Sequence, residues 1–390
     1  MNRPQRVVFV RQPATWYAYS LIGLQIYLFS VQGNVIPFLQ SEFGLSYRVV
    51  SLHSSAMALG VVITGLFGGY VTRPLGRRWS LALGGAGIAT GAILLCLSPG
   101  PWMSIPSCFL MGLLGAFIPS VVPATLALLH GEARREAFSE QAIFAYGFAI
   151  VGPLASGLFV AAGLGWRPAV LLGAVLGFGL VIAFRKAPLP AGATVTATRQ
   201  AALPPAFWAY WCVVTFSCAF EFSVLLWSPT FLERVIGFSA AEAATAASGF
   251  FIGALGGRIV LRALVQRLPA RSILIAAFIT GFLGFALYWG VDRPWAAIIG
   301  IFMLGLCVAP QYPLTMSLAL GVAKGAHDAA SARMTLAFGL AVLVAPALLG
   351  ALADVVGLRY AHLTLPALTA AGLSAFLIAG VLARRLNWTA

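Results

Sequence analysis

Glu221 is the residue from which chemistry is most directly argued. It stands in an apolar stretch centred near residue 218, about ten residues from either end. At such a depth in lipid an acid costs about 2.5–3.5 kcal/mol or more, so a residue kept there binds something or carries a proton. Burial disfavours the charged carboxylate and holds the group neutral until a cation or a water path reaches it, which is the behaviour a proton carrier needs. Tyr210, Ser217, Glu221 and Ser228 are spaced by 7, 4 and 7 residues and fall on one helical face. Proton or substrate binding is the expected use of this stripe. The alternative is an acid hydrogen-bonded to Ser217 or to a neighbouring helix, holding the fold together.

A second polar group sits near residue 311. Cys307, Gln311 and Thr315 recur every four residues, and Pro310 and Pro313 bracket Gln311 and Tyr312. Proline removes a backbone donor and frees a carbonyl, so this segment is a candidate ligand contact, with plain interhelical hydrogen bonding as the other use. Trp227 lies away from the interfacial tryptophans and is either an aromatic cavity wall or a lipid-facing anchor. The five cysteines lie in apolar runs with no Cys-x-x-Cys pair and no His cluster nearby, which points to no metal site and no disulfide framework. No phosphate-binding Gly-rich loop, His-Glu-x-x-His, carboxylate pair or nucleophile elbow occurs, so neither nucleotide binding nor enzymatic catalysis is expected and there are no catalytic residues to name. The proton is the expected coupling ion, and no other cofactor is implied.

The elements that must position these groups follow from composition. Hydrophobic residues make up 61% of the 390 residues and charged ones 9%, too few to clothe a soluble protein. Apolar stretches of about 20 residues centred near 27, 60, 88, 117, 150, 175, 218, 252, 281, 307, 341 and 373 predict twelve transmembrane helices and an all-α membrane fold. The basic start (Arg3, Arg6, Arg11) leads into an apolar run without an Ala-x-Ala cleavage site, so the first helix is expected to be retained. The Pro- and Thr-rich stretch 187–205 is the expected cytoplasmic linker between bundles 1–186 and 206–390. With the N-terminus inside, 19 of the 24 basic residues fall on the cytoplasmic side, including Arg258 and Arg262, expected to snorkel to the headgroups. The net charge of +14 then reflects topology and attraction to lipid, with no tract suited to nucleic acid.

An internal repeat at an offset of 193 residues ties the halves together. Phe38-Leu39 and Gly44-Leu45-Ser46 match Phe231-Leu232 and Gly237-Phe238-Ser239, Gly112-Leu113 matches Gly305-Leu306, and Pro153 with Gly157 matches Pro346 with Gly350. The same offset sets Leu28 opposite Glu221, with Gln25 and Gln32 one turn to either side, so the first and seventh helices offer related polar faces to a central cavity. Gly152, Pro153, Pro346 and Gly350 are expected to serve close packing and bending.

With these features the sequence resembles the major facilitator superfamily over essentially its whole length. The family's signature loop is matched by Gly69, Gly76, Arg77 and Arg78, with Arg73 in the place of its acid, and the repeat copy carries Gln266 there, followed by Arg267. The resemblance implies that this loop braces a cytoplasmic gate and that the first and seventh helices line the cavity. Glu140 and Arg333, repeat equivalents of opposite charge at the inner helix ends, are the expected gate pair, with solvated loop flanks as the alternative. Gly147, Gly152, Pro153 and Gly157 look like the family's antiporter motif, with Ser156 replacing one glycine.

A monomeric secondary active transporter in a bacterial inner membrane is therefore expected, multi-pass with both termini cytoplasmic, moving a small organic solute by alternating access with proton coupling through Glu221. The Gly-Pro motif leans towards efflux of an amphipathic compound, whereas the uncharged run Cys108 to Ala116 leans towards uptake of a metabolite. A protein of this architecture that assembles or senses without flux is the other class, suggested by Arg73 and Gln266.

Overall fold

A computed structural model describes residues 10–190, 203–323 and 327–385. Most of the expected linker, together with Arg3, Arg6, Arg199 and Lys324, lies outside the described residues. Those described form helices without strands. Ten helices are long and apolar enough to cross a membrane. One of them, Tyr47–Leu97, has 51 residues, about 75 Å of helix against a hydrocarbon core of about 30 Å, so it must cross twice. It does so by breaking at Gly76, where φ 72° and ψ 170° leave the helical region for one that glycine tolerates. The shorter Arg167–Ala183 supplies the remaining crossing.

Numbered in chain order, span 1 is Pro13–Phe43, spans 2 and 3 are the arms of Tyr47–Leu97, and span 4 is Pro101–His130. Span 5 is Arg134–Ala161, span 6 Arg167–Ala183, span 7 Pro205–Phe231 and span 8 Ala240–Leu264. Span 9 is Ala270–Gly290, span 10 Pro294–Val322, span 11 His327–Val356 and span 12 Leu358–Arg384. Each expected centre falls inside one of these. The face bearing Gly76, Arg185 and Pro269 is called the basic face, and the face bearing Tyr47, Ser239 and Asp354 the far face.

Lipid tails are as apolar as leucine, so apolar surface gives no net drive for helices to associate, and small residues must let backbones meet. The repeat does this twice in the same way. A Cβ on Gly112 of span 4 would strike the Met57 carbonyl oxygen of span 2, and one on Gly305 of span 10 would strike the Phe250 carbonyl oxygen of span 8. Reciprocally, Gly60 lies against Phe109 and Leu113, and Gly253 against Phe302 and Leu306. Every member of the second set is 193 residues beyond its counterpart. The duplicated glycines therefore mark duplicated helix crossings.

Gly112→Ala and Gly305→Ala are each expected to lower the melting temperature of the detergent-solubilised protein, at a cost of about 1–3 kcal/mol for overpacking. Gly256→Ala, where a methyl meets open space, is not. Thermal melts of the three variants decide; identical melting would mean these glycines do not limit the approach.

Candidate functional site

The two bundles meet along the far face. Spans 1 and 7 cross so closely that a Cβ on Gly33 would strike the Leu225 carbonyl oxygen and come within 3.4 Å of the Leu226 Cα. Gly33 and Leu226 are themselves repeat equivalents, so the crossing lies on the pseudo-twofold axis relating the halves. To either side of it, symmetry-related glycines close the seam. Gly157 of span 5 fits against Ala241 and Thr245 in the first two turns of span 8, and Gly350 of span 11 against Tyr47 and Ser51 in the first two turns of span 2.

The ends of spans 2 and 8 are capped differently, and the difference reaches across the seam. Ser239 and Glu242 form a capping box, with the Ser239 amide donating to the Glu242 carboxylate at 2.9 Å. In the first half Ser46 keeps its role, accepting from the Val49 amide, but Val49 occupies the place of Glu242 and has no carboxylate. Asp354 of the opposite bundle supplies one. Its oxygens accept from the Tyr47 and Arg48 amides at 2.8 Å each, placing a negative charge at the positive end of span 2. Ser55 donates to the Leu343 carbonyl at 3.0 Å, continuing the seam.

One turn towards the basic face from this crossing lies Glu221. It is half-buried and four residues before Leu225, so it shares the helical face that meets span 1. The ion pairs among the described residues are Arg11–Glu140, Arg167–Glu42 and Arg359–Asp292, and Glu221 is in none of them. The charge acting on it is Arg258 of span 8. The Arg258 guanidinium carbon sits 4.6 Å from the ring centroid of Tyr146 on span 5, which belongs to the other bundle, a cation–π distance. The Arg258 Nε is buried without a partner, as are the Ser217 Oγ, the Thr315 Oγ1 and the Gln32 Nε2.

The other expected binding residues are placed as follows. Gln25 and Gln311 are buried, Gln32 and Tyr312 half-buried. Tyr210 departs from the expected stripe, because it is packed in the core of the second bundle with Phe207, Val214, Leu274 and Phe278. A helical face only partly confronts the cavity when the helix has neighbours on several sides. Trp227 is neither a lipid anchor nor a free cavity wall. It is fully buried, its Nε1 donates to the Pro346 carbonyl at 2.9 Å, and its ring meets that of Tyr47 at 5.8 Å. Leu28, opposite Glu221 in the repeat, turns into its own bundle against Gly173. Gly152 meets Ser30 and Tyr27 of span 1.

The family model described as Major Facilitator Superfamily matches residues 17–289 and 236–387. The chain belongs to the major facilitator superfamily. It is 24% identical over 358 residues to an uncharacterised MFS-type transporter of Yersinia pestis, covering 90% of this chain and 91% of that one. It is also 24% identical over 336 residues to the multidrug efflux pump LfrA of Mycolicibacterium smegmatis, covering 80% of this chain and 62% of that longer protein. Its fold matches a bacterial homologue of the human lysosomal transporter Spinster with a TM-score of 0.77 at 13% identity, covering 96% of this chain and 98% of that one. It is thus a multi-pass membrane protein of a transporter superfamily.

Two gate expectations, one implied by the resemblance and one read from the repeat, need correction. The signature segment is no loop up to Leu75, since span 2 remains helical through Pro74 and turns only at Gly76. Arg77 and Arg78 hold the first bundle to itself: Arg77 donates to the Pro190 carbonyl at 2.8 Å, and Arg78 donates to the carbonyls of Ala187, at 2.8 Å, and Arg185. Arg73, Gln266 and Arg267 are exposed. The Glu140–Arg333 gate pair does not form. Glu140 accepts from the Arg11 Nε at 2.9 Å, within the first bundle, while Arg333 is exposed and its carbonyl accepts from the Trp211 Nε1 at 2.8 Å. The nearer partner takes the acid.

Arg258, Tyr146 and Asp354 escaped the sequence reading. Nearness to a helix end points Arg258 to the headgroups. The Cα–Cβ bond in a helix tilts towards the N-terminus, which for span 8 is away from the basic loop and into the membrane. Asp354 had a legible signal in the repeat: an acid at Glu242 with no acid at Val49.

Asp354→Ala is expected to loosen the far face. Losing a side-chain acceptor for the first helical amides costs about 0.5–2 kcal/mol by analogy with loss of an N-cap, equivalent to a roughly 2- to 30-fold change in the population of the opened seam. Reaction of Ser51→Cys, buried under Gly350, with a membrane-impermeant maleimide measures this; an unchanged rate would show that the cap does not hold the seam.

Proposed function

We propose that this chain is a proton-coupled secondary transporter of a bacterial inner membrane, with the basic face cytoplasmic, moving a small organic solute by rocking one bundle against the other. The supporting observation is the position of Glu221. It is an acid in mid-span, on the face where the bundles cross, in no ion pair among the described residues and one turn from the unpartnered Ser217 hydroxyl. An ionised carboxylate is tolerated while water reaches it, and its cost rises as the bundles close over it. Protonation removes that cost, so the closed and reopened states are reached more readily with the proton on board. Bundle motion and proton carriage are thereby linked through one residue.

The far seam suits the other part of the cycle. Its contacts include glycine-mediated backbone approaches, two hydrogen bonds to Asp354, one from Ser55 and the rings of Tyr47 and Trp227. Spans 4 and 10 each pack within their own bundle at their basic ends, consistent with access from that face. Orientation follows from the excess of basic residues there.

In proteoliposomes with an imposed pH gradient, screened against a panel of small organic solutes, Glu221→Gln is expected to abolish gradient-driven accumulation while leaving solute exchange at equal pH. Full accumulation by the variant would refute the proton-carrier role. Movement of no panel member by either protein would favour the non-transporting class.

A further inference from the structure

Arg258 is a charge held by no ion pair among the described residues. In span 8 it is half-buried, six residues inside the helix end, and among the described residues no carboxylate lies within ion-pair distance of it. A structural counter-ion to Glu221 would touch it, and Arg258 instead lies over the Tyr146 ring with its Nε buried and unpartnered. The Ser217 hydroxyl, one helical turn from Glu221 on span 7, is also buried without a partner and can donate as well as accept. A guanidinium with a spare N–H and no carboxylate partner fits an anion that accepts hydrogen bonds.

The charge count narrows the class. With Glu221 ionised the pair is neutral, and with Glu221 protonated it carries one positive charge. One negative group then restores neutrality, whereas a dianion would leave an excess in a low-dielectric site. The other titratable groups within reach of Glu221 are Cys218 on its own helix, Cys307 on span 10 and Tyr146 on span 5, with Tyr312 beside Cys218. All four are neutral at ordinary pH. Spans 1, 11 and 12, which also pack against span 7, carry their described charges near their ends, at Glu42, Arg333, Asp354, Arg359 and Arg384.

Resting on the reading of Glu221 given above, we propose that Arg258 binds the carboxylate of a small organic monoanion and that the anion is carried together with one proton on Glu221. Tyr146 and Arg258 come from different bundles, so an anion that engages the guanidinium binds where the two bundles meet. Proton and anion favour each other's binding, and the favour is reciprocal. As pH rises and Glu221 ionises, the anion meets a second negative charge and its affinity falls by up to about tenfold per pH unit. Cotransport of this kind is a symport, and an inward proton gradient drives uptake.

Benzoate, benzamide and benzylamine, matched in shape and differing in charge, test this by thermal shift and by binding titration of the full-length protein in detergent at pH 5.5 and 8.5. Benzoate is expected to bind at pH 5.5 and to weaken at least tenfold at pH 8.5, with the amide and the amine inert. Arg258→Gln should abolish benzoate binding and Arg258→Lys should keep it in weakened form. Glu221→Gln should keep it and remove its pH dependence. Preference for benzylamine, benzoate binding by Arg258→Gln as by the wild type, or no binding of any of the three would overturn the anion site. Benzoate binding that needs Arg258 at both pH values alike would keep the anion site and remove the proton role. Benzylamine binding that needs Glu221 would keep Glu221 as a cation site and remove the anion.

Discussion

Backbone-to-backbone approach at glycine is the contact on which the rest of this protein depends. In water, burying leucine would hold twelve helices together; in lipid that gain vanishes, and dispersion between closely packed chains must replace it. Gly60, Gly112, Gly253 and Gly305 fix spans within bundles, whereas Gly33, Gly157 and Gly350 fix one bundle against the other. The first set joins helices side by side within a half, and the second lies in a thin seam near the crossing of spans 1 and 7. The same chemistry therefore gives two stiff bodies and one separable joint.

Charge is handled with similar economy. Most charged side chains stand at helix ends, where they pair, stack on tryptophan or brace a neighbouring carbonyl. Glu221 and Arg258 are the exceptions in depth, and they neither touch each other nor find another ion. Keeping two opposite charges apart in a membrane is costly, and a cost of that kind is sustained where the charges act on something that comes and goes.

Much of the fold was legible because its causes are local. A run of about 20 apolar residues has no alternative to a helix in lipid, and the 193-residue offset located the repeat before any coordinates. Glu221 was legible for the same reason, since depth alone makes an acid conspicuous. What could not be seen depended on direction and distance. Tyr210 shares a helical face with Glu221 and still packs into a core; Glu140 and Arg333 match in the repeat and still choose other partners; Arg258 looks terminal by count and points inward by helix geometry.

The capping of span 2 by Asp354 also bears on the history of the molecule. A duplicated gene begins with interchangeable halves, and here the halves have ceased to be so. The second half caps its own span 8 through Glu242, while the first half has given up that acid and borrows one from span 11, where its own equivalent position is Ala161. Two copies of the second half would each be self-sufficient and would gain nothing at the seam by meeting. Two copies of the first would both keep a serine cap and lack the carboxylate. Only the unlike pair completes the joint, so divergence at residues 49 and 354 has turned a tandem of equals into an obligatory couple.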